Sequence, residues 1–161
     1  RFDIGQPKGL ALQAALRGLP VFVQRQKFSV VTIDMADIVV SCVDTLLGRK
    51  AIARWCLQKG VPLFIDTRAQ GEVAVICTAT LAQVKDYSPP RAQDVENAPC
   101  GAVGTAYTGM WVASQVTAMI NSYYRGLRLP KMVVWHVGLN QEISRLLWEE
   151  GTIDDTADDT D

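Results

Sequence analysis

Two short apolar runs separated by a helix-like stretch constrain the fold of this chain more than any other feature. Residues 36–42 contain the continuous apolar core Ile38-Val39-Val40, which is typical of a strand covered on both faces. Thr45 can cap the helix that follows, and Gly60 ends this helix before a second strand at 63–66. This order predicts a parallel crossover in which the first strand lies at the centre of a sheet.

The rest of the chain predicts further helices and strands around this unit. A helix is expected from Pro7 to Gly18, since apolar residues recur there at helical spacing. The strongest helix is expected at 105–124, where apolar residues cover more than half of the circumference and predict extensive burial. Additional strands are expected at 21–23, 71–79 and 131–137. Together these elements predict an α/β fold with a doubly wound sheet.

A long loop and an acidic end interrupt this pattern. Residues 80–104 lack periodicity, and a loop of this length inside a compact domain is usually functional or mobile. Cys100 lies in the loop just before the 105–124 helix, where a thiolate would be stabilised and could act as a nucleophile; the alternative is an unreactive thiol. Residues 149–161 hold seven carboxylates and predict a disordered tail beyond a domain at 1–148.

Composition and residue spacing argue against several classes of function. Lysines and arginines are scattered rather than clustered, which is unlike a nucleic-acid-binding surface. No apolar run approaches the roughly 20 residues that span a bilayer, so no membrane association is expected. The four cysteines lie far apart and only one histidine is present, which predicts no zinc site and reduced thiols in a cytoplasmic protein.

Three charged residues are candidates for binding an anionic ligand. Asp44 follows the 36–42 strand directly, and ligands of doubly wound sheets bind beyond the carboxyl ends of the strands. Its carboxylate could hold a magnesium ion that bridges nucleotide phosphates, or it could cap the next helix. Arg49 could steady a phosphate or be a solvated surface charge. Lys8 lies at a helix start, where backbone N–H groups favour anions, or it is simply exposed.

The order of these features resembles the ThiF/MoeB family, the ubiquitin-activating-enzyme-like adenylyltransferases. The family also follows its last sheet strands with a crossover loop that bears a cysteine and then with a long apolar helix. The likeness therefore extends over roughly residues 2–126. The matching segments are Asp-Ile-Gly-Gln-Pro-Lys at 3–8, Ala-Asp-Ile-Val-Val-Ser-Cys-Val-Asp at 36–44 with Arg49, Gly-Val-Pro-Leu at 60–63 and Gly-Glu-Val-Ala-Val at 71–75.

This resemblance implies a Rossmann-like, mostly parallel sheet flanked by helices, in a protein that binds ATP and magnesium. Such proteins adenylate the C-terminal glycine of a small ubiquitin-like or sulfur-carrier protein, usually as dimers. By analogy, Lys8 would contact the ATP phosphates, Asp44 would hold magnesium and Arg49 would support the nucleotide pocket. Cys100 would receive the activated carrier as a thioester. Arg1 would match a nucleotide-contacting arginine of the family if an intervening loop is shortened.

The chain also departs from the family pattern. The glycine-rich strand-to-helix turn and the acidic residue that grips the ribose are absent, so we expect a domain that lacks its first βα unit. A partner chain could supply this segment, or a longer protein could contain it. The Asp-Asn pair of the family is Asp44-Thr45 here, and its paired zinc cysteines are missing. Two alternatives remain: a non-catalytic scaffold that docks partners through the 105–124 helix, and a fragment of a dinucleotide-dependent oxidoreductase.

Overall fold

The computed structural model describes residues 5, 7–24, 28, 35–89 and 106–148. The chain divides into two compact units, residues 1–32 and 33–161. Within the described ranges, no helix combines the length and the hydropathy that a bilayer span requires.

The first unit contains one helix, α1 (Lys8–Ala15), among its described residues. The predicted helix is confirmed, but Pro7 occupies the N-cap position rather than the first turn, and the helix ends at Ala15, before the predicted stop at Gly18. Gln13 donates a 2.7 Å hydrogen bond to the carbonyl of Val21 and ties the following segment back to α1. The strand predicted at 21–23 is wrong, because these residues lie in neither a helix nor a strand and Phe22 is 89% exposed. Among the described residues no strand pairs with this triplet; the Val21 amide donates to the carbonyl of Leu19 at 2.8 Å instead.

The second unit is a five-stranded sheet flanked by helices, which confirms the predicted α/β class. The strand order is β1-β2-β3-β4-β5. The elements are β1 (Ile38–Ser41), α2 (Leu46–Lys59), β2 (Leu63–Gln70), β3 (Val73–Thr80), a 3₁₀ helix (Val84–Asp86), α3 (Ala106–Tyr124), β4 (Met132–His136) and β5 (Gln141–Leu146).

Successive side chains of β2 belong to two different hydrophobic cores, one on each face of the sheet. Phe64 packs with the α2 residues Trp55 and Cys56, whereas its neighbours Leu63 and Ile65 belong to the cluster beneath α3. Successive side chains of a strand point to opposite faces, so α2 and α3 cover different sides of the sheet.

The sheet is mixed, and the expectation of a mostly parallel sheet is wrong. Among the strands that the structure describes, only β1 and β2 pair in parallel, with Ile38 opposite Leu63, while the other three pairings are antiparallel. The reason lies in a two-residue turn at Gly71 and Glu72 between β2 and β3. Gly71 has a φ of 56°, a conformation that tight hairpin turns require and that glycine adopts without strain.

Local signals at the ends of α2 are confirmed. Thr45 is the N-cap, and its side chain accepts a hydrogen bond from the Gly48 amide. Gly60 ends the helix in the left-handed conformation, with a φ of 68° and its N–H directed to the carbonyls of Cys56 and Leu57. The strand that follows is four residues longer than predicted, because residues 67–70 pair with β3 in the hairpin.

Two predictions about burial are wrong. Among the described residues β1 lies at the edge of the sheet rather than at its centre, and Val40 is 40% exposed. Helix α3 packs one apolar face onto the sheet, but Met110 is 74% exposed and Tyr124 is 68% exposed. The apolar surface of α3 is therefore wider than the part that packs on the sheet, and the remainder stays exposed.

The end of the described chain packs back onto the sheet. The strand predicted at 131–137 is confirmed as β4, whereas β5 was not predicted because it is mostly polar and exposed. Trp148, just beyond β5, donates a 3.1 Å hydrogen bond from Nε1 to the carbonyl of Thr78. Lys131 places its ammonium 4.8 Å from the centre of the Trp148 ring, within the range of a cation–π contact.

The predicted 80–104 loop is partly ordered against the core. The 3₁₀ helix buries Val84, and the ring of Tyr87 packs edge-on against Phe64 with the ring centres 5.0 Å apart. Residues 90–105 lie outside the described residues.

Candidate functional site

A cavity of about 960 Å³ opens beyond the carboxyl end of β1. The parallel pairing stops at Ser41 and Asp66, and β2 continues for four more residues along one wall. The β1–α2 loop and one face of α3 form the other walls. The polar lining includes Cys42, Asp44, Arg49, Arg68, Gln70 and Thr117. This is where a parallel strand–helix–strand unit is expected to bind a ligand, and the volume suits a small molecule.

Asp44 is exposed and lines this cavity. The alternative that it caps α2 is wrong, because Thr45 occupies the N-cap and accepts the hydrogen bond from the Gly48 amide. Among the described residues the Asp44 carboxylate has no hydrogen-bond or ion-pair partner. It is therefore available to a ligand.

The described residues place fewer than three metal-ligating side chains together at any point. No three histidine, cysteine, aspartate or glutamate side chains of this part of the chain lie close enough to hold a metal ion. Magnesium commonly takes one or two protein carboxylates and completes its shell with phosphate oxygens and water. The donor set around Asp44 fits magnesium that arrives with a phosphorylated ligand.

Arg49 is buried rather than solvated, with a side chain that is 4% exposed. Its Nη1 donates to Asp66 Oδ1, with which it forms an ion pair, and to the carbonyl of Thr67 at 2.9 Å. Its Nη2 donates to the carbonyl of Val43. Both terminal nitrogens are therefore engaged inside the protein, and the Asp66 carboxylate balances the charge. The guanidinium forms part of the cavity wall, and its Nε is buried without a hydrogen-bond partner among the described residues.

Tyr87 completes this buried network. Its hydroxyl donates a 2.6 Å hydrogen bond to Asp66 Oδ2, so that each carboxylate oxygen has one donor. Burial and the neighbouring Asp66 charge raise the pKa of Tyr87 far above its usual value. The hydroxyl therefore stays protonated and remains a donor. A continuous chain of contacts runs from Tyr87 through Asp66 and Arg49 to Val43, the residue before Asp44.

Arg68 is the cavity residue that sequence reasoning missed. The sequence predicts a strand that ends at Asp66, whereas Arg68 lies in β2 and is half-buried on the cavity wall. Among the described residues its guanidinium has no hydrogen-bond or ion-pair partner. A basic residue two positions after a buried aspartate in an extended strand is the signal that could have indicated it.

The cysteines of the second unit differ in accessibility. Cys42 is an exposed free thiol on the cavity wall, and it accepts a 3.2 Å hydrogen bond from the Thr67 hydroxyl. Cys56 and Cys77 are free but buried, and burial raises the pKa of each thiol to about 12. Only Cys42 among these three is placed to react with a dissolved reagent.

The remaining predicted site residues stay predictions. Lys8 is the first residue of α1 in the first unit. Arg1 and Cys100 lie outside the described residues. The structure thus brings Asp44 and Arg49 to one cavity and adds Arg68 to them.

No protein-family model matches the sequence, and no curated protein is significantly similar to it. The residues around the cavity therefore carry the functional argument.

Proposed function

We propose that this chain forms part of a ThiF/MoeB-type adenylyltransferase with a Rossmann-like domain. In this proposal it uses ATP and magnesium to adenylate the C-terminal glycine of a ubiquitin-like or sulfur-carrier protein. The observation that carries the proposal is the position of Asp44, an exposed carboxylate without a described partner in a cavity beyond the end of a parallel strand. Nucleotide phosphates and their magnesium ion bind at such positions in doubly wound folds.

The charges along the cavity suit a reaction between two anions. Asp44 would supply one oxygen ligand to magnesium, and the half-buried Arg68 would face a phosphate or the carboxylate of the carrier. Magnesium, when bound with ATP, offsets the negative charge that grows at the α-phosphate as a carboxylate attacks it. No side-chain base is needed, because the attacking group is already ionised at neutral pH.

The α3 wall of the cavity suits an extended peptide tail. Gly109 has no side chain and Ala113 contributes only a methyl group to this wall, and a Cβ added at Gly109 would meet open space. Val112 and Val116 make the wall apolar. A carrier tail that ends in glycine could therefore approach closely without displacing charged groups.

The resemblance supplies the remaining roles in the proposal. Lys8 would contact the ATP phosphates, Arg1 would add a second nucleotide contact, and Cys100 would capture the adenylated carrier as a thioester with release of AMP. A glycine-rich segment for the nucleotide would come from elsewhere in a longer protein or from a partner chain. We expect the assembly to be a homodimer or a complex with that partner.

An exchange assay tests this function. The full-length protein is incubated with ATP, magnesium and labelled pyrophosphate, together with a small sulfur-carrier protein that ends in glycine. We expect label to enter ATP with this carrier and not with the same carrier lacking its terminal glycine. Equal exchange with both carriers, or exchange with neither across sulfur-carrier and ubiquitin-like substrates, would overturn the proposal.

The exposed surface of α3 favours a second candidate, the non-catalytic scaffold. Met110 and Tyr124 are apolar or aromatic, and each is more than two-thirds exposed. Exposed apolar surface on a helix commonly marks a site of protein association. A protein that self-associates through α3, loses this association in Met110→Lys and shows no exchange under the conditions above would be a scaffold rather than an enzyme.

A further inference from the structure

We propose that Arg49, Asp66 and Tyr87 form a positioning unit that fixes the backbone of the β1–α2 loop and thereby the place from which Asp44 projects. The inference about loop geometry stands on the contacts alone. Its consequence for catalysis rests on the proposed function, because it requires that Asp44 act on magnesium and ATP. None of the three residues is assigned a contact with substrate.

Arg49 links helix α2 to the β1–α2 loop. Arg49 projects from the first turn of α2, and its Nη2 reaches back to the carbonyl of Val43, one residue before Asp44. Thr45 is already tied to the helix by its cap. The backbone on both sides of Asp44 is therefore held, while the carboxylate itself remains exposed in the cavity.

The shape of the guanidinium explains why an arginine suits this position. A guanidinium presents its donors in a rigid plane, so Arg49 serves Asp66, the Thr67 carbonyl and the Val43 carbonyl at once. A lysine ammonium could neutralise Asp66 but could not reproduce this fixed geometry. Arg49 thereby joins β2 to the β1–α2 loop, just beyond the point where the pairing of β1 with β2 stops.

Asp66 and Tyr87 hold the guanidinium of Arg49 in place. Asp66 is 1% exposed and would be costly to ionise without its partners. Tyr87 occupies the oxygen that Arg49 leaves free, which fixes the orientation of the carboxylate toward the guanidinium. Buried ion pairs often stabilise a fold no better than apolar residues of similar volume. The three hydrogen bonds of Arg49 are instead suited to fixing the backbone next to the exposed Asp44.

A positioning role and a purely structural role make different predictions for magnesium. If Arg49 acts through the Asp44 loop, its conservative replacement changes how much magnesium the reaction needs. If it only stabilises the fold, replacement lowers the melting temperature and leaves the magnesium dependence of the folded protein unchanged.

The main experiment measures ATP–pyrophosphate exchange of the full-length protein against magnesium concentration. Arg49→Lys is expected to raise the half-maximal magnesium concentration at least about fivefold. The matched control is Arg145→Lys, which alters an exposed ion pair to Glu142 at 2.6 Å and should leave the curve unchanged. In an Asp44→Ala background, Arg49→Lys should reduce the rate by less than roughly twofold, since both changes act on one unit. The inference would be overturned if Asp44→Ala and Arg49→Lys lowered the exchange rate by independent factors that multiply in the double variant. An unchanged magnesium curve in Arg49→Lys would overturn it as well.

Tyr87→Phe provides a milder variant in case Arg49→Lys does not fold. It keeps the ring that packs on Phe64 and removes only the hydroxyl that holds Asp66. We expect the half-maximal magnesium concentration to rise about twofold or more. A Tyr124→Phe control changes an exposed tyrosine and should have no effect. Identical magnesium curves for the two tyrosine variants would argue that Tyr87 is structural.

A second readout does not depend on activity. Cys42 lies next to Val43, and its contact with Thr67 belongs to the same junction. In a Cys100→Ser background, Arg49→Lys should speed alkylation of Cys42 by iodoacetamide at least about threefold, with Cys56 and Cys77 still protected. An unchanged Cys42 rate would refute the positioning unit even if exchange is observed. A faster rate in a protein without exchange would support the unit and reject the proposed function.

Discussion

The side-chain oxygen of Thr45 accepts a 3.2 Å hydrogen bond from the backbone amide of Gly48. This contact satisfies one of the free N–H groups in the first turn of α2 and makes Thr45 the cap of the helix. The neighbouring Asp44 is therefore not needed for capping. Its carboxylate can be changed with little effect on stability, which separates its functional role from any structural one.

We expect Asp44→Ala to lower the rate of ATP–pyrophosphate exchange at least about tenfold, which corresponds to ~1.4 kcal/mol of transition-state stabilisation. The melting temperature should stay close to that of the unchanged protein, because the side chain is exposed. Asp37→Ala, which removes an exposed carboxylate at the other end of β1, serves as the control and should keep full activity. Undiminished exchange in Asp44→Ala would remove Asp44 from the site.

Cys100→Ala should abolish a thioester with the carrier while leaving adenylation intact. The thioester forms when the thiolate attacks the acyl carbon of the carrier adenylate and AMP departs. It is measured as a carrier adduct on a non-reducing gel that disappears with thiol treatment. Cys42→Ala is the control, since it removes the exposed thiol of the cavity. Adenylation without a trapped adduct in the unchanged protein would make Cys100 structural.

Thiol labelling reports on occupancy of the cavity. In a Cys100→Ser protein we expect iodoacetamide to modify Cys42 before Cys56 or Cys77, because only Cys42 of these three is exposed. ATP with magnesium should slow modification of Cys42 about threefold or more, since a nucleotide beside Asp44 would cover this wall of the cavity. Labelling is followed by peptide mass spectrometry. Protection by sodium chloride at equal ionic strength would point to a general salt effect instead.

The buried thiols should make the fold sensitive to alkali. The pKa values of Cys56 and Cys77 are raised from 9.0 to about 12 by burial, so the unfolded chain loses these protons at lower pH than the native protein does. Stability is therefore complete below pH 9 and declines as the pH rises toward 12, by up to about 1.4 kcal/mol per pH unit for each thiol.

Urea unfolding at several pH values measures this decline. Cys77→Ala removes one titrating thiol, so its stability should fall less steeply with pH, whatever packing it loses at neutral pH. Equal slopes for the two proteins would show that Cys77 does not contribute to the pH dependence.

Sequence reasoning located the parts of the fold that depend on local signals. The cap at Thr45, the end of α2 at Gly60 and the strand that follows depend on residues within a few positions of each other. The parallel pairing of β1 with β2 was predicted correctly from the strand–helix–strand order. The antiparallel pairings of the other strands were not predicted. A two-residue turn at Gly71 and Glu72 makes β2 and β3 a hairpin, although the preceding unit is a parallel crossover.

The candidate site was predictable to a similar extent. Asp44 could be found because it comes shortly after a strand, and its place in the cavity agrees with that reasoning. The environment of Arg49 could not be found, because Asp66 lies 17 residues away and Tyr87 approaches Asp66 from 21 residues further on. The surface of α3 was misjudged for another reason. Its many apolar residues indicate burial, but one sheet face accommodates only part of them.

The hydrogen bond from Trp148 to Thr78 has a practical consequence for handling this protein. The indole fastens the chain beyond β5 to β3, in the middle of the sheet, and Lys131 lies over the same ring. We expect a purification tag or fluorescent fusion joined after Trp148 to leave the sheet undisturbed, because Trp148 itself is held against β3. A truncation that removed Trp148 would instead leave β5 attached through its pairing with β4 and the hydrogen bond from the Lys131 amide to the Leu146 carbonyl, and the shortened protein should fray from that edge.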